Sequence, residues 1–319
     1  LNVRNSTIRN NFADGAAGSG GGILNTAGGT LTVNSTLIQG NRSMRAGGGI
    51  EDNASETMLT DVDLFENTTG GAPGNGGGLH STGASNVTIL TAMVMSNTAA
   101  AEGGGLWNSG TGRMMVDKAV IVNNHANGAG VTRGGGGIFN IGGPVNVSNS
   151  TIGENSAVNN GGGVKVTGGG ITLTNVTLFE NSVDGVGSAV VAMTGTVTIR
   201  NSIVAATNAD DSPLCVGTIV VPAFVPNLAS DDSCGASIVD NPMLGTLMNN
   251  GGSTLTYMLN PTSRAIDAGD DVLCNAAPIN NVDQRSFTRM QGLHCDLGAF
   301  ESDAVSQYFR LWLFWIMKN

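Results

Sequence analysis

The chain has 319 residues, of which 49 are glycine, 4% are aromatic and 12% are charged, and its net charge is −10. Soluble domains usually carry about 25% charged residues, so the low charged share of this chain, with its many glycines, would by itself suggest disorder. The sequence has no cluster of Lys and Arg, which argues against nucleic acid as a partner. The length would suit about two domains, but a repeated pattern overrides that expectation.

A run of three glycines followed by an aliphatic residue recurs through residues 1–205. The first glycines of these runs are Gly20, Gly47, Gly76, Gly103, Gly135 and Gly161, and Gly187 begins a degenerate copy. An asparagine follows 20 or 21 residues later, in the series Asn41, Asn67, Asn97, Asn123, Asn155 and Asn181, with Asn11 ahead of the first run. Apolar residues stand three and eight positions before each asparagine, and a polar residue stands six before it. In the fifth copy these are Val120, Met115 and Asp117.

Between the glycines and the asparagine, apolar and polar residues alternate and Val, Ile and Thr are abundant, as in residues 171–174. This alternation predicts strands, and no helical pattern interrupts it through residue 205. A unit of about 26 residues cannot bury its apolar face alone, so it must stack on copies of itself. The sequence therefore predicts an all-β parallel β-helix of about eight coils over residues 1–205, with coils about 4.8 Å apart.

The conserved spacing also predicts a role for each residue type within a coil. The glycines should mark a bend where the backbone takes a positive φ or passes close to a neighbouring coil. The asparagines should sit at a turn in the left-handed conformation and bond one another along the stack. Both residue types are assigned to architecture and not to catalysis.

The insertions between coils leave one edge of the predicted rod, at residues 12–19, 68–75 and 124–134. Beside that edge, an outward-facing ladder is predicted to contain Leu24, Glu51, His80, Trp107, Phe139, Lys165 and Val191. His80, Trp107 and Phe139 form an aromatic strip, and His125 and Arg133 lie in the longest insertion. This group is the predicted binding site, and the alternative is that the longest loop covers the strip.

Residues 206–240 depart from the repeat and are interpreted as an irregular final coil. The four cysteines, Cys215, Cys234, Cys274 and Cys295, all follow the repeats. Their even number without CxxC spacing favours two disulfides, Cys215–Cys234 and Cys274–Cys295 being the preferred of three pairings. The alternative is a zinc site, which has only His294 nearby as a further ligand. Disulfides predict an extracellular location.

Residues 241–301 carry the motifs Asn250-Gly251-Gly252-Ser253, Ala265-Ile266-Asp267-Ala268-Gly269, Asp283-Gln284-Arg285 and Asp296-Leu297-Gly298-Ala299-Phe300-Glu301. This segment resembles the C-terminal module of bacterial right-handed parallel β-helix surface proteins of the "choice-of-anchor Q" type. The glycine and asparagine ladders also resemble repeats of polymorphic outer-membrane proteins. The resemblance implies a right-handed β-helix and an exported protein, without catalytic residues or a cofactor. Arg264 and Ser286 stand where Pro and Gly are common, so the local turns are expected to differ.

Residues 302–319 form an apolar tail, with its most apolar run at 308–317. The run is shorter than the roughly 20 residues that a membrane span needs. The tail is interpreted as a truncated anchor, a capping strand or an expression scar. The chain also opens within a strand pattern, which favours missing residues ahead of Leu1.

Two functions fit this sequence. The first is a secreted or cell-surface protein acting as an adhesin, a spacer or a filament subunit, whose partners are envelope components, glycans or further copies. The second is a polysaccharide lyase or glycoside hydrolase, since stacked coils can place two carboxylates at catalytic distance. The outward ladder offers only Glu51 as an acid, which favours the first function. Calcium is compatible with the acidic doublets, but no metal site is predicted.

Overall fold

Strands with alternating burial form most of the computed structural model, which describes residues 1–207 and 212–304. They build a parallel β-solenoid of about eight turns, as predicted, and one short helix, Asp271–Asn275, lies near the C-terminus. The 21 strands of the main sheet wrap around the core because long strands such as Thr30–Gln39 bend partway along their length.

In the first half of the solenoid, the main sheet contains Asn2–Arg4, Thr7–Arg9, Ile23–Thr26, Thr30–Gln39, Ile50–Asn53, Glu56–Phe65, Leu79–Thr82, Asn86–Leu90, Met93–Met95, Leu106–Asn108, Arg113–Asp117 and Val120–Val122. In the second half it contains Ile138–Asn140, Val145–Gly153, Val164–Val166, Gly170–Phe179, Val190–Arg200, Ile203–Ala205, Cys215–Val220, Leu228–Ala229 and Ile238–Val239. A second sheet of seven two-residue strands closes each coil at Phe12–Ala13, Arg42–Ser43, Thr68–Thr69, Thr98–Ala99, His125–Ala126, Ser156–Ala157 and Ser182–Val183.

The apolar ladders point inward and stack in register, and their members are almost completely buried. The two apolar rungs predicted for the fifth coil, Met115 and Val120, are each wrong by one residue. Val116 and Ile121 are the residues that pair with Ile89 and Val94, and Met115 is exposed on the opposite face. The spacing is ambiguous here because Asn123 and Asn124 are adjacent, and the ladder asparagine is Asn124.

The polar ladder marks the bend of each coil, because its residues have positive φ. Its members are Asn5, Ser35, Asp61, Thr91, Lys118, Asn149, Asn175 and Asn201. Lys118 thus replaces the predicted Asp117, by the same one-residue shift. Asn holds four of these eight positions, and Asn tolerates the left-handed conformation better than most residues do.

The asparagines form a continuous hydrogen-bonded ladder inside the solenoid. Asn97 is typical: its Oδ1 accepts from the backbone N and the Nδ2 of Asn67, at 2.9 and 3.0 Å, and its Nδ2 donates to Leu64 O and Asn124 Oδ1. The residue before each asparagine takes the left-handed conformation, Ser96 in this coil, and not the asparagine itself as predicted. The reason is that the asparagine side chain must point inward to complete the ladder.

The glycine triplets are required by close contact between coils. The first glycine of a triplet has a positive φ, 62° at Gly47. A Cβ added at the second, Gly48, would lie 2.4 Å from Gly77 O of the next coil. These findings confirm the predicted bend and close approach.

The C-terminal segment, residues 241–304, folds back along the side of the solenoid. It contains the antiparallel strands Leu244–Met248 and Thr256–Leu259, the helix, and connecting turns. Its contacts run from the fifth coil, where Thr254 Oγ1 donates to Lys118 O, to the eighth, where Asp270 N donates to Asn201 Oδ1. A second apolar core fills this junction and includes Ile203, Leu228, Leu259, Ile266, Leu297 and Phe300.

Both disulfides form as predicted, Cys215–Cys234 in the final coil and Cys274–Cys295 in the C-terminal segment. Within the described residues, no helix is long and apolar enough to cross a membrane. The predicted role of the apolar run 308–317 lies outside the described residues.

Candidate functional site

The predicted aromatic strip is present but buried. Residues His80, Trp107 and Phe139 occupy the same position in successive coils and pair in register. The rings of His80 and Trp107 stack with centroids 4.2 Å apart, and those of Trp107 and Phe139 are parallel at 6.4 Å. Trp107 is 6% exposed and Phe139 is 1% exposed. In this conformation the strip offers almost no surface to a ligand.

The insertion loop covers the strip, and charged groups hold the loop in place. Glu102 Oε2 accepts from Trp107 Nε1 at 3.1 Å, and Glu102 Oε1 accepts from Arg133 at 2.8 Å. Buried Lys165 donates from Nζ to the carbonyl oxygens of Val131 and Arg133. Burial lowers the pKa of Lys165 to about 8. The geometry therefore favours the covered alternative over an open site.

The two remaining members of the predicted site, Arg133 and His125, lie on different surfaces. Glu51, a ladder residue outside the predicted site, adjoins the strip, with its Oε2 2.8 Å from His80 Nδ1, and both side chains are buried. Arg133 reaches the strip through Glu102. His125 instead lies exposed in the second sheet, where its Nδ1 contacts Ser156 Oγ. The structure thus brings four of the five predicted residues together and leaves His125 on a different surface.

An exposed groove that was not predicted runs across the outer face of the main sheet. It has a volume of about 340 Å³ and is lined mainly by the outward side chains of Thr30, Thr32, Glu56, Met58, Asn86, Thr88 and Arg113. These residues form two parallel rows over four coils: Thr30, Glu56, Asn86 and Arg113 in one, Thr32, Met58 and Thr88 in the other. The strand alternation could have identified these residues as outward-facing, since every second residue of a strand points to the same face.

The groove combines several kinds of recognition group on a rigid surface. Glu56, Asn86 and Arg113 are exposed on successive coils, so a carboxylate, an amide and a guanidinium follow one another at about 4.8 Å intervals along the solenoid. Met58 is 46% exposed and adds an apolar contact between the threonine hydroxyls. Such a surface can hydrogen-bond an extended ligand at several points and pack against its apolar face.

Two carboxyl groups with a raised pKa, Asp296 and Glu301, belong to a buried charge cluster of the C-terminal segment. Arg289 is fully buried and contacts Glu301 Oε2 at 3.3 Å, while its Nη2 donates to Asn149 Oδ1 of the solenoid at 3.0 Å. Burial, and next the neighbouring Glu301 carboxylate, raise the pKa of Asp296 to about 8. Each carboxylate oxygen of Asp296 and Glu301 accepts a backbone N–H bond from within the C-terminal segment, so the cluster holds this segment together. Arg289 joins the cluster to the solenoid through Asn149.

Within the described residues, no three His, Cys, Asp or Glu side chains converge on one point. Cys274 and Cys295, the cysteines nearest His294, are joined to each other, which overturns the zinc alternative. The outer groove is the candidate site of this β-solenoid, because it is the exposed surface on which these recognition groups meet.

Comparisons with known proteins do not establish a family for this chain. No family model matches the chain, and no curated protein matches it, so the expected relation to anchor-Q surface proteins is not supported. A solved structure, that of the pectate lyase Pel9A, is similar over 92% of this chain and 86% of that chain. The sequence identity is 13% and the TM-score is 0.45.

Proposed function

We propose that this chain is a secreted or cell-surface β-solenoid that binds an extended glycan along the outer groove and thereby acts in adhesion. The observation that carries the proposal is the pair of outward-facing rows, one of Thr30, Glu56, Asn86 and Arg113 across four coils and one of Thr32, Met58 and Thr88 across three. The disulfide bond of the final coil and that of the C-terminal segment favour an extracellular location.

The chemistry of the groove suits a sugar chain better than a folded protein. Sugar hydroxyls both donate and accept hydrogen bonds, and Thr32, Asn86 and Thr88 offer both functions. Glu56 and Arg113 add a charged acceptor and a charged donor, whose hydrogen bonds are stronger than neutral ones. Met58 supplies polarizable surface for the apolar face of a pyranose ring. The opposite charges balance, so we expect a neutral or weakly charged glycan.

The same composition argues against hydrolysis at this site. Glycoside hydrolysis uses two carboxyl groups separated by about 5–10 Å, whereas Glu56 is the one acid among the lining residues of the groove. A polysaccharide-degrading enzyme remains the second candidate function. It differs from adhesion in one measurable property, the appearance of new reducing ends or unsaturated products.

The proposal is tested by affinity electrophoresis and calorimetry against a panel of neutral and acidic polysaccharides. We expect binding by the native chain, and a loss of at least tenfold in affinity in Glu56→Gln and Arg113→Gln, since removing one charged hydrogen-bonding partner typically costs about 1.5–3 kcal/mol. Arg9→Gln, an exposed change outside the groove, should bind normally. Absence of binding to every polysaccharide, or equal losses in the Arg9 control, would refute the assignment.

A further inference from the structure

One outward-facing row of the main sheet continues beyond the groove. Its residues occupy the same position in successive coils and pair in register. In order along the solenoid, this axial row contains Thr32, Met58, Thr88, Met115, Asn146, Thr172 and Thr198. Three of its members, Thr32, Met58 and Thr88, line the groove. The others extend the same surface over the next coils, and each of them is at least partly exposed.

The polar side chains of the axial row are available to a ligand. Among the residues that the structure describes, its threonine hydroxyls and the amide of Asn146 form no hydrogen bond with another protein group. Threonine is branched at Cβ, so its χ1 angle is already restricted before a ligand binds. Fewer rotamers are then lost on binding, which lowers the entropic cost of ordering the surface. The row is therefore a preorganised line of hydrogen-bonding groups.

The geometry of the solenoid favours a ligand that lies along its axis. Across the axis, the number of outward positions is small. Ala54 and Asp61 bound one strand, with φ of 51° and 54°, and between them Glu56, Met58 and Thr60 face outward. Along the axis, the row from Thr32 to Thr198 repeats at intervals of about 4.8 Å. An extended ligand therefore meets more equivalent positions along the axis than across it.

The apolar members of the row alternate with a hydroxyl. Met58 and Met115 are 46% and 42% exposed and lie two coils apart, about 9.6 Å, with Thr88 between them. A ligand that matches this order presents equivalent groups at every second unit. An extended β-(1→4)-linked hexopyranose chain does so, because each ring is rotated by half a turn relative to its neighbour and advances by about the spacing of one coil. An α-(1→4)-linked chain curves into a helix and cannot follow a straight row.

We propose that the axial row binds a linear, neutral β-(1→4)-linked polysaccharide that lies parallel to the solenoid axis, with about one sugar on each coil. The row contains no charged residue, which suits an uncharged sugar chain. This inference rests on the proposed binding of a glycan in the groove, and it adds the linkage, the direction and the length of the ligand. The sugars beyond the groove lie on Asn146 and Thr172.

The test compares saccharides of different linkage and length by isothermal titration calorimetry with the intact chain. Cellohexaose and mannohexaose are β-(1→4)-linked, whereas maltohexaose is an α-(1→4)-linked chain of the same length. We expect one of the two β-linked hexasaccharides to bind at least tenfold more tightly than maltohexaose and than its own trisaccharide. The reason is that the longer chain adds hydrogen bonds beyond the groove, each worth about fivefold in affinity.

Thr172→Val tests the extension without touching the groove, because it keeps the shape of the side chain and removes the hydroxyl. It should weaken binding of the hexasaccharide about fivefold. Binding of the trisaccharide should be unchanged, since the charged groups of the groove hold it. Thr26→Val is the matched control, an exposed threonine on another strand, and should bind both saccharides normally.

The possible failures separate this inference from the proposed function. Equal affinities for hexasaccharide and trisaccharide would contradict the length of the site. Equal or tighter binding of maltohexaose would contradict the linkage, and unchanged affinity in Thr172→Val would contradict the path along the row. If Glu56→Gln weakens binding in any of these cases, the groove stands as a glycan site and the axial row is refuted. Absence of binding by every saccharide would refute both.

Discussion

Truncating Trp107 distinguishes a structural role for the aromatic strip from a binding role. In the structure, Trp107 is 6% exposed, stacks on His80 at 4.2 Å and donates its Nε1 proton to Glu102. Trp107→Ala removes the buried ring, its stacking and its hydrogen bond at once. Trp107→Phe is the matched variant, because it keeps an aromatic ring between His80 and Phe139 and loses the hydrogen bond and part of the indole volume.

The expected magnitudes follow from burial. Replacing a buried tryptophan or phenylalanine by alanine typically costs about 3–5 kcal/mol, which includes the cavity left behind. The aromatic pairs account for about 0.5–1.5 kcal/mol each. We therefore expect Trp107→Ala to lower the free energy of unfolding by about 4 kcal/mol. Trp107→Phe should lose about 1–2 kcal/mol, mostly from the unpaired Glu102 oxygen.

Urea denaturation followed by circular dichroism measures both changes, and glycan affinity of the folded fraction is measured alongside. We expect large destabilisation with unchanged affinity, since the groove and the strip lie on different strands of each coil. An unchanged denaturation midpoint in Trp107→Ala, combined with loss of binding, would refute this reasoning. It would show that the loop opens in solution and that the strip is the site.

Three further predictions concern the solenoid and the C-terminal segment. Asn97→Ala should lower the free energy of unfolding by about 3 kcal/mol in denaturation experiments, because it leaves buried backbone and amide groups of the neighbouring coils unpaired. A decrease below about 1 kcal/mol would contradict the structural role of the asparagine ladder. The pKa of Asp296 is raised from 3.8 to about 8 in the folded chain. Between these two pH values, Asp296 is therefore protonated in the folded chain and ionised in the unfolded chain. Stability should therefore decline from about pH 4 to pH 8, and Asp296→Asn should flatten that decline in thermal melts across this range. Replacing Cys274 and Cys295 by serine should destabilise the C-terminal segment by about 2–4 kcal/mol and make it sensitive to protease. Full protease resistance of this segment in the serine variant would contradict the prediction.

The sequence predicted the solenoid well because its constraints are local and repeated. Every coil must place a glycine where another coil's backbone passes within contact distance and an asparagine where the ladder continues. Those requirements recur in sequence at a fixed interval, so they are visible without coordinates. The one-residue error in the fifth coil arose where two asparagines, Asn123 and Asn124, satisfied the same pattern.

The site was harder to predict because exposure depends on contacts between distant segments. Alternation correctly placed Trp107 on the outer face of its strand, but the 124–134 insertion covers that face through Arg133 and Lys165. The groove was not predicted because its residues are ordinary when each coil is considered alone. Glu56 and Arg113 look like ordinary exposed strand residues, and only the register of the coils brings them to one surface.

The most direct test of the account is glycan binding by the groove without cleavage, measured on one sample. Calorimetric titration of the native chain and of Arg113→Gln is combined with product analysis by mass spectrometry after prolonged incubation. The account predicts saturable binding that falls at least tenfold in the variant, with the polysaccharide recovered intact. Cleavage products from the native chain, or identical affinities in the two proteins, would contradict it.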